Sequence, residues 1–324
     1  MRICVTGGAG YIGSHACKAL AEAGHEVIVY DNLSTGHRRF VRWGPFCHGD
    51  IRDTVRFRAC LREFRPDGII HFAASAYVGE SVMDPGKYFS NNVGGTLSIL
   101  EAMRDEGCPA IVVSGTCAVY GQPGAVPIAE TCPPNPINPY GASKLFMERM
   151  LADFATAHSL RWMSLRYFNA AGSSAQGEIG ELHEPETHLI PRVMFAALGI
   201  IDAIDIFGTD YPTPDGTCVR DYIHVEDLAR AHIRALERLL AGGENMALNL
   251  GTERGASVRE IIQGVAEIAG RMVPCRDRER RSGDPAILVA DAARAREVLD
   301  WSAQKNLSSM LQDAWSFFAA QKGA

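Results

Sequence analysis

The chain has 324 residues, about twice the length of a usual single domain, and so predicts one large α/β domain with a smaller companion. Its 47% hydrophobic and 22% charged residues exclude a disordered chain, and a net charge of −6 leaves no basic footprint for nucleic acid or an anionic membrane. Nine Cys, odd in number and without a C-x-x-C pair, exclude a disulfide framework or a thiolate zinc site, so no metal is expected.

The chain opens directly on a strand-like run at 2–6, with no charged leader and apolar core, and no 18-residue apolar run follows. A reduced, cytoplasmic location is the expectation. Apolar runs at 3–6, 26–30, 68–72, 110–114 and 162–167 predict strands. Amphipathic segments at 11–23, 54–64, 88–106 and 139–157 predict helices between them. That alternation is the pattern of βαβ units and implies a Rossmann-type, doubly wound parallel sheet. The rhythm changes after 169. Residues 170–188, rich in Gly, Ser, Glu and His, predict a long functional loop, and the remainder reads as a smaller mixed α/β domain. The expected division is 1–169 for a dinucleotide-binding domain, with a chain return around 217–251, and 170–324 mainly for the smaller domain across a cleft.

Between the first strand and first helix stands Thr6-Gly-Gly-Ala-Gly-Tyr-Ile-Gly13, which satisfies Gly8-x-Gly10-x-x-Gly13 and Gly7-x-x-Gly10-x-x-Gly13. Glycines there allow a tight turn and bring backbone N–H groups against a pyrophosphate at the helix start. Gly7, Gly10, Tyr11, Ile12 and Gly13 are therefore candidate cofactor contacts. Asp31 ends the second strand with Asn32 beside it. A carboxylate at that place accepts from the adenosine ribose hydroxyls and repels a 2′-phosphate, which favours NAD over NADP. Asp50-Ile51 and Phe72-Ala73-Ala74 close the next two apolar segments. Ligands of an open parallel sheet sit beyond the carboxyl ends of its strands, so both segments belong to the same crevice.

Asn138-Pro139-Tyr140-Gly-Ala-Ser-Lys144 opens a helix, with Asn138 as N-cap and Pro139 in the first turn. Tyr140 and Lys144, four apart, share one face, where an ammonium would lower the phenol pKa and make Tyr140 a general base. Ser114 and Thr116 deliver hydroxyls at the carboxyl edge just before that helix. For Thr116 the residues alone leave a turn role and a catalytic one both open.

The glycine motif, the hydroxyl strand end and Tyr140-x-x-x-Lys144 together resemble the extended short-chain dehydrogenase/reductase superfamily. More narrowly, Gly79-Glu-Ser81, Asn91-Asn-Val93, Arg166-Tyr-Phe-Asn169, Arg220-Asp-Tyr-Ile-His224 and Arg281-Ser-Gly-Asp-Pro285 resemble the UDP-glucose 4-epimerase family along nearly the whole chain. The resemblance implies a UDP-hexose substrate whose C4 is oxidised by NAD to a transient 4-keto sugar and reduced again on the opposite face. It implies Tyr140 as base, Lys144 as its partner on the nicotinamide ribose, and Thr116 orienting the 4-oxygen. Asn92 and Tyr167 fall at cofactor positions. Phe168, Asn169, His188, Leu189, Arg220, Tyr222, Arg281 and Asp284 fall at substrate positions, with the two arginines on the pyrophosphate and Asp284 on the uridine ribose. A homodimer through the helices at 88–106 and 139–157 is also implied.

There are departures. Ala76 stands where familiar members carry Lys, Thr187-His188 precedes Leu189-Ile-Pro191 where some have paired Asn, and Leu288 stands at the position that gates the sugar pocket, where a residue shorter than Tyr would admit an N-acetyl group. Alternatives are an epimerase of UDP-N-acetylglucosamine or UDP-xylose, a nucleotide-sugar 4,6-dehydratase, and a non-catalytic NAD-binding regulator. Dehydratases of this kind carry Asp-Glu after the hydroxyl residue, where this chain has Cys117-Ala118. A regulator would have no need to keep both Tyr140 and Lys144.

Overall fold

The computed structural model describes residues 1–281 and 283–323; Ser282, inside one of the motifs quoted above, and Ala324 lie outside the described residues. The first half of the chain runs β1 (Arg2–Thr6), α1 (Tyr11–Glu22), β2 (Glu26–Asp31), β3 (Phe46–His48), α2 (Thr54–Phe64), β4 (Gly68–His71), α3 (Val78–Met83), α4 (Pro85–Tyr88), α5 (Gly95–Glu106), β5 (Ala110–Ser114), α6 (Pro139–His158) and β6 (Arg161–Tyr167). There follow β7 (Asn169–Ala171), α7 (Leu189–Leu198), β8 (Ile204–Phe207), β9 (Val219–His224), α8 (Val225–Leu240), β10 (Met246–Leu250), β11 (Gly255–Ser257), α9 (Val258–Ala269), β12 (Cys275–Arg278), β13 (Ile287–Leu288), α10 (Ala293–Leu299) and α11 (Leu307–Gly323).

Seven strands form one parallel sheet in the order β10-β6-β5-β4-β1-β2-β3. Helices cover both faces, so the strands read as unbroken apolar runs rather than alternating ones. Alternate residues still divide between two cores. Ile3, Val5, Ile70 and Val112 meet α1 and α8, while Cys4, Ile69, Ile111 and Val113 meet α2 and α5. The strand order reverses between β1 and β4, and there Thr6 Oγ1 hydrogen-bonds His71 Nδ1 at 2.7 Å. A crevice at such a reversal is where this fold holds its ligand.

β9 organises a smaller sheet. Its first half pairs antiparallel with β11 and parallel with β13, and its second half pairs parallel with β7. β8 and β12 form a parallel pair alongside, and α7, α9 and α11 bury a second core that includes Val193, Ile261 and Phe317. α8 and β10 bring the chain back onto the large sheet, whereas β9 stays with the small one. The architecture is α/β throughout, a Rossmann-type sheet with a smaller mixed unit.

Two local expectations differ. The helix expected over 88–106 is interrupted: a π-type turn, Phe89–Gly94, joins α4 to α5. Such a turn is typical where a side chain must leave the regular ladder, and here it turns the buried Asn92 inward. Within 170–188, the first two residues belong to β7 and the rest carry no helix or strand. Among the described residues, no helix is long and apolar enough to cross a membrane.

Candidate active site

β1 leaves the sheet through Gly7, whose φ is +73°, a conformation glycine adopts without strain. A Cβ there would stand 2.6 Å from Ala73 N, so the loop after β1 and the loop after β4 pack backbone against backbone. Gly10 caps α1 with no capping side chain, leaving the first N–H groups of a twelve-residue helix for an anion. Tyr11, Ile12 and Gly13 form that first turn, and Ile12 also packs into the core behind. Asp31 is buried at the end of β2; its carboxylate accepts from Ala9 N at 3.0 Å and Leu33 N at 2.7 Å. Burial raises its pKa, and those two N–H bonds work against the rise. A cradle that any Cβ would fill, an uncapped helix start and a buried carboxylate across from it suit the pyrophosphate and ribose of a dinucleotide.

Around this cradle the other expected cofactor residues converge. Asn32 donates to Asp50 Oδ2 at 3.1 Å, and Arg52 grips the same carboxylate at 2.9 and 2.7 Å, holding it well below the usual carboxylate range. Ile51 is buried beneath. Phe72 leads Ala73 and Ala74 out of β4, its ring 4.6 Å from that of His232. Asn92 is bonded entirely by protein. Its Oδ1 accepts from Ser75 N at 2.8 Å and Asn91 Nδ2 at 3.1 Å, and its Nδ2 donates to Ser75 O and Ser143 Oγ, both at 3.0 Å. An amide has two donors and one carbonyl oxygen, so Asn92 clamps the post-β4 loop to α6 and has no amide hydrogen left for a cofactor.

The second constellation is built where α6 meets β5. Asn138 accepts from Gly141 N at 2.8 Å, and Pro139 occupies the first turn. A Cβ on Gly141 would lie 2.5 Å from Ala118 O, so the helix start is pressed onto the turn that follows β5. That contact sets Tyr140 in hydrogen-bonding reach of Thr116, whose Oγ1 also accepts from Ala118 N at 3.2 Å. Lys144 is buried and donates from Nζ to Ser114 O at 2.8 Å. Ser114 Oγ meets Tyr167 OH at 2.5 Å.

The expected lowering of the Tyr140 pKa by Lys144 is not what this geometry produces. Burial pushes the phenol up to about 12, with the Thr116 hydrogen bond pulling the other way. Lys144 is brought down to about 7 by burial against the attraction of Glu148. The ammonium is aimed at the strand carbonyl rather than at the phenol, and desolvation decides both values.

Beneath this pair lies a network absent from the expectations. Arg166 donates Nε to Glu148 Oε1 at 2.9 Å and a second nitrogen to Oε2 at 2.5 Å. It also reaches Tyr120 OH at 2.9 Å, and that hydroxyl donates to Asn249 Oδ1 at 2.7 Å. Glu148 follows Lys144 by four residues on α6, a spacing that was open to reading. Its partner on β6 was not.

On the far side of the crevice, β9 carries Arg220 and Tyr222. Arg220 forms an ion pair with Asp284, and Asn169 Nδ2 donates to Asp221 O at 3.0 Å where β7 meets β9. Tyr222 and Phe168 are buried, Phe168 in a cluster with Val119, Tyr120 and Leu288. Arg281 is exposed with its guanidinium 4.0 Å from the Phe207 ring centroid, and both Arg220 and Arg281 act electrostatically on the Cys218 thiol. His188 caps α7 next to Leu189, but its Nδ1 is 2.8 Å from Glu186 and 3.0 Å from Glu181. Asp221 had no assigned role. It is fully buried and accepts from Thr252 N at 2.9 Å, Thr252 Oγ1 at 2.6 Å, Glu253 N at 3.1 Å and Ala290 N at 3.2 Å, fastening the strand ends around Arg220.

The profile of the NAD dependent epimerase/dehydratase family matches residues 3–251. A UDP-glucose 4-epimerase of Rhizobium leguminosarum bv. trifolii is 52% identical over 317 residues, spanning 98% of this chain and 97% of that one. Among solved structures, the UDP-glucose 4-epimerase from Brucella ovis in complex with NAD is 53% identical, with a TM-score of 0.96 over 98% of both chains. That from Stenotrophomonas maltophila, with bound NAD and formylated UDP-arabinopyranose, is 42% identical, with a TM-score of 0.97 over the whole of both chains. Matched from end to end in sequence and in fold, the chain belongs to the NAD dependent epimerase/dehydratase family and, within it, to the UDP-glucose 4-epimerases.

Proposed function

We propose that the chain interconverts UDP-glucose and UDP-galactose as an NAD-dependent 4-epimerase, with Tyr140 as its acid and base. The observation that carries this reading is the contact between Tyr140 and Thr116, with Lys144 anchored one turn further on. NAD, when bound, supplies a hydride acceptor and then donor for C4 of the sugar, through a transient 4-keto sugar and with no net redox, and places a positive charge near the phenol. The residues that would hold it are Gly7, Gly10, Tyr11, Ile12 and Gly13 at the pyrophosphate, Asp31 and Asn32 at the ribose, and Asp50, Ile51, Phe72, Ala73, Ala74 and Tyr167 around the rings, with Asn92 positioning the Ser75 loop.

Tyr140 takes the proton of the 4-hydroxyl and later returns it to the keto oxygen from the other side. Thr116 fixes that oxygen. Lys144, held by Ser114 O, keeps a cation close to the reacting pair and to the nicotinamide ribose. Arg220 and Arg281 grip the pyrophosphate, for which a guanidinium fork is well shaped. Asp284 takes the uridine ribose, with Asn169, Tyr222, Phe168, His188 and Leu189 around the nucleotide and sugar. The free state of all nine cysteines is consistent with a reduced, cytoplasmic setting. Phe89, Leu97 and Phe146 are exposed, the two Phe rings 6.3 Å apart, and supply an apolar face for homodimer formation through α5 and α6; Phe146→Glu converts the dimer to monomer in light scattering on that reading.

Purified protein incubated with UDP-galactose and no added NAD forms UDP-glucose if cofactor is carried through purification. A 4-keto-6-deoxy product instead identifies a dehydratase, and no product with NAD supplied refutes catalysis. Leu288, in the cluster of Phe168, is shorter than the Tyr of familiar members and on that reading would admit an N-acetyl group, so UDP-N-acetylglucosamine is the second substrate to offer; no turnover removes that reading.

A further inference from the structure

The irregular loop between β7 and α7 folds so that two glutamates and two histidines meet: Glu181, His183, Glu186 and His188. One nitrogen or oxygen from each lies within 4.8 Å of every other. His183 Nδ1 stands 3.4 Å from Glu181 Oε1 and 3.4 Å from Glu186 Oε2, and His188 Nδ1 stands 3.0 Å from Glu181 Oε1. Both carboxylates are buried, Glu181 5% and Glu186 9% exposed. Two carboxylates brought together away from water must be neutralised or carry a heavy desolvation cost.

His188 meets part of that need through its 2.8 Å hydrogen bond to Glu186 Oε1. The other part falls to His183, which reaches ion-pair distance of both carboxylates but not hydrogen-bonding geometry. Glu186 Oε2 and His183 Nδ1 are buried without a hydrogen-bond partner although they face each other. Their separation matches two ligands of one ion: with Zn–N and Zn–O bonds of about 2.0–2.2 Å, neighbouring ligands of a tetrahedral site sit roughly 3.3–3.6 Å apart. Imidazole nitrogen with carboxylate oxygen is a donor set suited to zinc, and it leaves no trace in cysteine spacing.

We propose that Glu181, His183, Glu186 and His188 bind one zinc ion that fastens this loop over the start of α1. The loop already touches that place. Tyr11 donates its hydroxyl to Gly172 O at 2.6 Å, and its ring stands edge-on to His183 at 6.3 Å. Tyr77, from the loop after β4, packs on His183 at 5.8 Å and on His188 at 6.0 Å. The ion joins the helix that opens the dinucleotide cradle, the post-β4 loop and the N-cap of α7 at one point. His188 is then a ligand through Nδ1 rather than a nucleotide contact through that atom.

The test uses the full chain, stripped with a chelator and titrated with zinc chloride against a chromophoric competitor. One zinc per chain and a raised melting temperature are expected, since an ion that binds only the folded state stabilises it. His183→Ala and Glu186→Gln each weaken binding by about 100-fold or more, as removal of a ligand costs at least what removal of its supporting partner does. Cys275→Ser, at an exposed thiol, leaves binding unchanged. Cobalt added to the stripped wild type reports the ligands without any variant: tetrahedral d–d bands with no thiolate charge transfer are expected. Absence of zinc binding to the wild type, undiminished binding in folded Glu186→Gln, or a thiolate-to-cobalt band overturns the proposal.

Discussion

A Cβ added at Gly13 would stand 2.1 Å from the Gly7 carbonyl oxygen, and that oxygen already accepts the Gly10 N–H at 3.1 Å. Backbone has to move to admit it, and the backbone in question shapes the phosphate cradle. Gly13→Ala is expected to leave a folded chain that has lost most of its NAD, measured as nucleotide released on denaturation; full NAD occupancy would place the cofactor's phosphates elsewhere. Tyr140→Phe makes the complementary cut. It keeps the ring and removes the proton carrier, so NAD stays bound and turnover of UDP-galactose falls by about 10²–10⁴-fold. Burial raises the phenol in the cofactor-free site, and the positive charge that bound NAD would place nearby works against that rise, so the phenolate fraction of the loaded enzyme grows with pH across the neutral range. Wild-type kcat/KM therefore rises with pH where Tyr140→Phe stays flat, and equal slopes would assign the titration to another group. At this scale the sequence made Gly13, Asp31 and Tyr140 legible because each sits in a short motif on a strand end or helix start. The pKa values were not legible. Spacing placed Lys144 on the face of Tyr140, but burial and the Ser114 carbonyl, both tertiary facts, decide where its charge acts.

The elements that hold the site depend on pairs far apart in the chain. Arg166 on β6 is buried and gives three donors to Glu148 and Tyr120. Arg166→Met strands the Glu148 carboxylate, and loss of one partner of a buried pair costs roughly 3–5 kcal/mol. Urea unfolding of this variant should show that loss, with Glu148→Met/Arg166→Met less destabilised than the single change because carboxylate and guanidinium leave together, although Lys144 then loses the attraction of Glu148; a single variant within 1 kcal/mol of wild type, on the order of an exposed pair, would make the network ornamental. The edge strands β3 and β10 were not among the expected strands, whereas the other five strands of the large sheet were readable from unbroken apolar runs. The break in the expected helix over 88–106 was not, because what selects the π-type turn is Asn92 reaching Ser75 and Ser143, partners 17 and 51 residues away. Asp221 was hidden for the same reason: its four bonds run to residues 31 to 69 positions downstream.

Across the whole molecule, closing a sheet between two helical layers buries groups that titrate near neutrality. His232 is fully buried on α8, where Nδ1 donates to Leu228 O at 2.8 Å and Nε2 has no hydrogen-bond partner. Its neighbours are the Phe72 ring at 4.6 Å and the Tyr167 ring at 6.1 Å, neither of which stabilises a cation by charge. Burial brings its pKa down to about 4, only partly offset by the Leu228 carbonyl. In the unfolded chain the same ring titrates at about 6.5. The folded value is the lower one, so the unfolded state binds the extra proton as pH falls below about 6.5, and stability is lost from there down to about pH 4. Between pH 7 and pH 5 this single histidine withdraws about 2 kcal/mol. His232→Gln removes that titration and introduces none. The stability difference between wild type and variant, measured by urea unfolding at both values, should therefore shift by about 2 kcal/mol in the variant's favour on acidification. A difference that holds constant from pH 7 to pH 5 would mean that the His232 ring is charged inside the folded protein and that the contact between α8 and the carboxyl ends of β4 and β6 is open to water.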